Sequence, residues 1–346
     1  MVFEDRLHEV VLEFDDGVAR TVAVPEHKTV LDAALESGIQ LAHQCRSGSC
    51  GTCSARVVEG EAVMAADRAL GLLPSEIAAG HRLTCSTYVK SRALVRLPYP
   101  SELAFGPLPK RREGVITAVR WLTPRVVRLE VRFTDHERVS FAAGQYMRLE
   151  IPGTDEWRSY SMATTKAELP NVAFLVKVLP FGVMSDYLRL ALPGDRLCLE
   201  GPFGSFRLRP SSRPHLMVAG GTGLAPILAM LEELRLAAGR TPRVTLCFAC
   251  SSEDELFHVD ELELRSMWMP TLDVRVGVSR PRSDAYGGRV GNPVALMTSN
   301  DFAGGEADVY LCGPSGMVDA ARGRALAAGV PDERIRSEQF LASRYG

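Results

Sequence analysis

The chain has 346 residues, 46% of them hydrophobic and 24% charged, with a formal net charge of −2. That length accommodates two or three domains with cores of their own. The near-neutral balance gives nucleic-acid binding no electrostatic basis. The acidic start, MVFEDRLHEV, lacks the apolar core of a secretory signal. The longest weakly polar run, from Leu216 to Leu231, is shorter than a membrane span and contains Gly and Pro. Eight cysteines without an export signal read as reduced thiols or a metal centre. A cytoplasmic protein is expected.

From Arg6 to Leu97, the runs HEVVLEF and RTVAVP alternate apolar and polar residues around a turn at Asp15-Asp16-Gly17, the pattern of a two-stranded hairpin. A helix is predicted over about Thr29 to Ser37, with Val30, Ala33 and Ala34 on one face and Gly38 as its stop. The loop beyond it holds Cys45, Cys50 and Cys53 in the spacing C-x4-C-x2-C, and Cys85 stands alone downstream. Two irons need two thiolates each; a tight loop supplies three and the fourth comes from elsewhere, which is the plant-type [2Fe–2S] spacing. The intervening Ser47, Gly48, Ser49, Gly51 and Thr52 are small enough for backbone N–H groups to approach sulfur. The alternative is a four-cysteine zinc site, whose ligands usually come as two close pairs rather than a triplet and a singlet. His43 reads as a packing or surface residue, since four thiolates complete the site. On the signature CRSGSCGTC this segment resembles a plant-type ferredoxin, which implies a β-grasp-like domain over residues 1–98.

The stretch PYPSELAFGPLPKRR has four prolines and no sustained period, so residues 99–112 are expected to be a linker. Over 113–210, the runs GVITAVRWL, VVRLEVRF, QYMRLEI, NVAFLVKVL and DRLCLEG predict a small antiparallel β-barrel, interrupted by a helix from Met184 to Leu192. Arg158, Ser159, Tyr160 and Ser161 follow a predicted barrel strand. Arg158 suits a pyrophosphate, Tyr160 an aromatic ring system and Ser161 a ring nitrogen. Val176 and Lys177, in the run NVAFLVKVL, are further candidate cofactor contacts, and Gly182, Val183, Met184 and Ser185 open the helix, whose free N–H groups favour phosphate. Taken singly, these residues also read as a surface charge, a core aromatic and ordinary turns.

Over 211–346, HLMVAG, VTLCFAC, LDVRVGV and ADVYLCG alternate with helical stretches such as APILAMLEELRLAA, which predicts a parallel-sheet nucleotide-binding domain. Gly220, Gly221, Thr222 and Gly223 lie between a strand and a helix, where glycine permits close approach to a pyrophosphate. Glu253 and Asp254 follow the next strand with no Arg or Lys between Ala249 and Phe257, favouring the ribose hydroxyls of NADH over the extra phosphate of NADPH. Otherwise these acids cap the following helix. Cys312, Gly313 and Pro314 end a later strand, and Glu338 and Phe340 stand near the end of the chain. Cys198, Cys247 and Cys250 read as buried, inert thiols.

In this order, RSYS, GVMS, GDRLCLEGPFG, GGTGLAP and CGP resemble the ferredoxin-NADP reductase family. The whole chain resembles the NADH-dependent reductase components of bacterial multicomponent oxygenases. The resemblance implies FAD held by the first two motifs and nicotinamide beside Cys312. It also implies Phe340 over the flavin ring, Glu338 on a proton path, and catalytic roles for Ser161, Cys312 and Glu338. Hydride carries two electrons and an iron–sulfur cluster takes one, so a flavin between them completes the route. The implied acceptor is an oxygenase component, most directly an aromatic-ring-hydroxylating dioxygenase, or a separate ferredoxin. A soluble di-iron monooxygenase system and a flavin and iron–sulfur enzyme acting on a small substrate are the alternatives. No nucleic-acid or membrane partner is expected.

Overall fold

The structure, a computed structural model, describes residues 6–65, 69–106, 108–135, 139–237, 241–282 and 286–340. The first five residues of the acidic start, Pro107 of the proline-rich stretch and Ala238 at the end of a predicted helix lie outside the described residues. The chain divides into two units, Met1–Leu108 and Pro109–Gly346.

The first unit carries β1 (Leu7–Glu13), β2 (Ala19–Pro25), α1 (Val30–Glu36), β3 (Ser54–Glu59), β4 (Ala62–Met64), α2 (Pro74–Ala78), β5 (His81–Leu83), β6 (Thr87–Val89), β7 (Ala93–Arg96) and α3 (Glu102–Phe105). Five strands make one mixed sheet in the order β2-β1-β7-β3-β5, with β1 antiparallel to β2 and parallel to β7. The expected hairpin is β1 and β2. Their alternation buries Val10, Leu12, Val22 and Val24 against Val30, Leu31, Ala33 and Ala34 of α1. Thr29 caps the helix by accepting from Asp32 N at 3.1 Å. A mixed sheet with one helix packed on it is the β-grasp-like arrangement.

The expected linker is shorter than its composition implies. Tyr99 is 1% exposed in the core, and its hydroxyl accepts from Ala42 N at 3.0 Å. Ala104 of α3 is buried in the same core, and its carbonyl accepts from Gln40 N at 3.2 Å. Residues 99–105 therefore belong to the first unit, while 110–112 open the first strand of the second. A four-residue helix is too short to show a period, so prolines were the only legible signal.

The second unit begins with β8 (Lys110–Thr123), β9 (Val126–Phe133), β10 (Tyr146–Glu150), β11 (Trp157–Ser161), β12 (Asn171–Lys177), α4 (Val183–Leu190) and β13 (Arg196–Phe203). The strands run β11-β10-β13-β8-β9-β12, and a bridge between Met162 and Phe174 joins the two ends into a barrel. Residue order places Arg158, Ser159, Tyr160 and Ser161 after a barrel strand; in the structure they are themselves part of one, β11, antiparallel to β10. Both faces of β11 are polar or half-exposed, so no apolar alternation marks it.

The chain continues with β14 (His215–Gly220), α5 (Leu224–Leu236), β15 (Val244–Cys250), α6 (Val259–Trp268), β16 (Leu272–Val278), β17 (Arg289–Val290), β18 (Asp308–Pro314), α7 (Ser315–Ala327) and β19 (Ile335–Phe340). These strands form a parallel sheet, β17-β16-β15-β14-β18-β19. Leu224, Ile227, Leu228 and Leu231 of α5 are buried; each contributes about 1.5–3 kcal/mol on burial. They share a continuous core with Val126, Ala143, Ala163, Leu175 and Phe206 of the barrel. Barrel and parallel sheet are thus one unit, separated in sequence but not in packing. Cys247 and Cys250 are buried as expected, whereas Cys198 is only half-buried.

Candidate functional site

Cys45, Cys50 and Cys53 lie between α1 and β3, and Cys85 lies in the turn between β5 and β6. The thiols meet as two pairs, Cys45 with Cys50 and Cys53 with Cys85, each joined sulfur to sulfur by a hydrogen bond. Among the described residues no three His, Cys, Asp or Glu side chains converge on a single metal ion. Two irons with two thiolates each need pairs, which this arrangement can supply. The hydrogen bond within each pair pushes one thiol down and the other up. Cys45 falls to about 3 and Cys85 to about 7, while Cys50 and Cys53 rise. Ser47 N and Cys50 N each donate to Cys45 Sγ at 3.4 Å, and Gly48 N donates to Cys85. Such donors stabilise thiolate ligands and tune a bound cluster. The loop requires glycine at Gly51, where φ is +73° and a Cβ would lie 2.7 Å from the Gly71 carbonyl oxygen.

In the second unit, Ser161 ends β11, Cys312 lies in β18, and Glu338 stands opposite Cys312 in β19. Ser161 Oγ donates to Glu338 Oε2 at 2.7 Å, and Cys312 Sγ donates to the same oxygen at 3.9 Å. Burial pushes the Glu338 carboxyl up to about 7, against the lowering effect of those two donors. Burial, then the Glu338 carboxyl, pushes the Cys312 thiol well above its ordinary range. The three expected catalytic residues therefore meet at one carboxyl group poised near neutrality. Sequence reasoning missed their neighbours. Gln145 Nε2 donates to the Gly204 carbonyl at 3.1 Å, and a Cβ on Gly204 would stand 3.9 Å from Glu338 Oε1. Tyr146 stacks on Phe203 at 5.7 Å between ring centroids. The Gly-Pro-Phe-Gly string was a signal for this turn, but not for what it faces.

Around them, Arg158 donates Nη1 to the Trp157 carbonyl at 3.1 Å and pairs with Glu156. Tyr160 is half-buried against the barrel core, and burial raises its phenol. Val176 is buried and Lys177 exposed at the end of β12. Gly182 is the N-cap of α4. Met184 is buried in the barrel core, and Ser185 Oγ accepts from Leu179 N at 2.9 Å. Those two side chains serve the fold, so a phosphate would be held here by the backbone N–H groups of the first turn.

Gly220 ends β14, and Gly221, Thr222 and Gly223 turn the chain into α5. A Cβ on Gly223 would lie 2.2 Å from the Cys312 carbonyl oxygen, and one on Gly220 would lie 2.8 Å from Met317 Sδ. Gly313 packs against Gly220, so the two predicted nucleotide loops touch through backbone. Gly223→Ala is expected to destabilise the unit by about 1–3 kcal/mol, because backbone rather than a flexible side chain must yield. The melting temperature should fall by about 2–4 °C per kcal/mol in a unit of this size. An unchanged melting curve would show that the contact is slack.

Glu253 and Asp254 occupy the turn after β15, but they do not cap α6, whose N-cap is His258. Glu253 accepts from Arg282 N at 3.0 and 2.9 Å, and Asp254 Oδ2 pairs with Arg282 Nη1 at 3.0 Å. A base absent from the local sequence is thus supplied by the loop after β16. Phe340 stands opposite Pro314 at the end of β19 and is 38% exposed. That strand was missed because IRSEQF is polar and lies at the sheet edge.

Three family descriptions match the chain in succession: a 2Fe-2S iron-sulfur cluster binding domain over residues 13–90, an oxidoreductase FAD-binding domain over 115–208, and an oxidoreductase NAD-binding domain over 217–323. The chain is 34% identical to the toluate 1,2-dioxygenase electron transfer component of Pseudomonas putida, covering 97% of this chain and 99% of that one. It is 33% identical to the propane 2-monooxygenase reductase component of Rhodococcus jostii, covering 93% and 89%. Among solved structures, an Amycolatopsis cytochrome P450 reductase matches with a TM-score of 0.69 and 26% identity, covering 96% and 98%. Two thiol pairs in a β-grasp-like unit, and a barrel packed on a parallel sheet, now have their explanation. This chain belongs to the family of oxygenase electron-transfer reductases, oxidoreductases that combine a [2Fe–2S] cluster, FAD and a nicotinamide-nucleotide site on one polypeptide.

Proposed function

We propose that the protein oxidises NADH and delivers single electrons to an oxygenase component of the aromatic-ring-hydroxylating dioxygenase type, or to a separate ferredoxin serving one. The observation that carries this reading is the meeting of Ser161, Cys312 and Glu338 where the barrel joins the parallel sheet. When bound, the flavin would accept two electrons as hydride and release them singly to the one-electron cluster. Arg158, Ser159, Tyr160, Val176 and Lys177, with the first turn of α4 from Gly182 to Ser185, would hold FAD. Gly220, Gly221, Thr222, Gly223, Gly313 and Pro314 would leave room for the nicotinamide nucleotide, and Glu253 and Asp254 would face its adenosine ribose. Phe340 would cover the ring when no nucleotide is bound. Ser161 holds its proton towards Glu338 Oε2, and Glu338 can take or give a proton near pH 7. Cys45, Cys50, Cys53 and Cys85 would ligate the cluster. The proposed setting is the cytoplasm, which keeps thiols reduced. Among the described residues no helix is long and apolar enough to cross a membrane. A monooxygenase acceptor is the second reading, favoured by the 33% identity to the propane 2-monooxygenase reductase component.

Anaerobic titration of the purified protein with NADH tests the proposal. Visible flavin and cluster bands should both bleach, and added cytochrome c should then be reduced quickly. A purified, iron-replete protein that lacks cluster bands, or whose bands resist NADH, would overturn it.

A further inference from the structure

We propose that Gln145 is a positioning residue for the Glu338 carboxyl, holding in place both the strand end that donates to it and the turn that walls it. The inference rests on the reading that Glu338 takes part in the proton chemistry of flavin reduction.

Gln145 lies in the turn that leads from Phe141 into β10, and it is 4% exposed. Its own N–H donates to the Ala142 carbonyl at 3.1 Å, which closes the turn. Its main-chain carbonyl accepts from Met162 N at 3.1 Å, one residue beyond Ser161. Its side chain reaches the other way. Oε1 accepts from Ala142 N at 2.9 Å, and Nε2 donates to the Gly204 carbonyl at 3.1 Å. A backbone donor on one side and a backbone acceptor on the other leave the amide a single orientation.

Both ends of this clamp meet at Glu338. Ser161 Oγ, next to Met162, donates to Glu338 Oε2. Gly204 faces the other oxygen, since a Cβ there would stand 3.9 Å from Oε1. Gly204 has no side chain to anchor its turn, and its φ of +97° sets it against the Tyr146 ring, 3.0 Å from the Cβ position. Gln145 supplies the anchor. An apolar side chain of the same length would fill the space but leave the Gly204 carbonyl and Ala142 N without these partners. The turn would then move to satisfy them with water, and water would reach Oε1. The polar groups that the carboxyl meets, Ser161 from β11 and Cys312 from β18, are both neutral. Exclusion of water is therefore what holds its proton affinity up.

Infrared titration of the purified holoprotein follows the Glu338 carboxyl directly, its band being assigned by its loss in Glu338→Gln. Stopped-flow reduction of the flavin by NADH follows the same proton through the rate. Gln145→Met should lower the inflection by about one pH unit in both, as water gains access. Gln145→Asn keeps an amide too short to span both partners and should lower it by less. Where Gln145→Met does not fold, Gln145→Asn carries the test. Inflections that stay at the wild-type pH in the folded variants, whatever the loss in melting temperature, make Gln145 a brace of the barrel and overturn the inference. A wild-type protein that oxidises NADH while its variants give that result loses this inference alone. One whose carboxyl shifts as expected but that does not oxidise NADH loses the functional reading, while the hold of Gln145 on Glu338 stands.

Discussion

Cys50→Ser should abolish electron delivery to cytochrome c or an oxygenase, by more than about a hundredfold, while NADH-dependent ferricyanide reduction survives. Cys50 is one member of the Cys45 pair, and a serine hydroxyl stays protonated where a thiolate is needed. Losing one of the four proposed ligands would leave one iron with a single protein thiolate. The two thiol pairs lie in the unit Met1–Leu108, whereas Ser161, Cys312 and Glu338 lie in the unit Pro109–Gly346. The flavin-dependent step should therefore continue. Cys198→Ser is the control, since Cys198 sits half-buried on β13 of the second unit. The measurement is the ratio of the two acceptor rates, read beside the visible spectrum. Full cytochrome c reduction by Cys50→Ser would remove the cluster from the proposed route.

Glu338 should govern the pH dependence of the hydride step. Its carboxyl is pushed up to about 7 by burial, so it is neutral below that pH and charged above it. An ionised Glu338 opposes any build-up of negative charge beside it. The rate of flavin reduction by NADH should therefore fall as pH rises through about 7. Glu338→Gln keeps an oxygen to accept from Ser161 Oγ but cannot ionise, so it should flatten the profile. Glu338→Ala also removes the acceptor and should slow the step by about a hundredfold at neutral pH. Stopped-flow reduction under anaerobic conditions, across the pH range, separates the two variants. A wild-type profile that is level through pH 7, or a Glu338→Gln profile that keeps the same inflection, would assign the proton to another group.

What could be read from residue order differs in kind from what could not. The four cysteines that pair in the first unit were legible because their spacing is a property of one short loop and one downstream residue. Strands with one buried face, such as β1 with Val10 and Leu12, announced themselves by alternation. β11 and β19 did not. Both are rich in polar, half-exposed residues, and β19 lies at a sheet edge, so their membership depends on a neighbouring strand rather than on their own pattern. α3 was hidden among prolines, although Tyr99 and Ala104 complete the first core.

The sequence by itself determined the spacing of the four cysteines that pair in the first unit, the order of the iron–sulfur, FAD and NAD segments and the glycines that permit close backbone approach. Tertiary structure alone decided the electrostatics. Ser161 and Glu338 are 177 residues apart in the chain, yet one hydrogen bond of 2.7 Å joins them. The turn after β15 looked purely acidic, but parallel pairing of β15 with β16 lays the following loop against it and delivers Arg282. Charge and proton affinity depend on distance in space and on exclusion of water, and neither is set until strands remote in sequence are aligned.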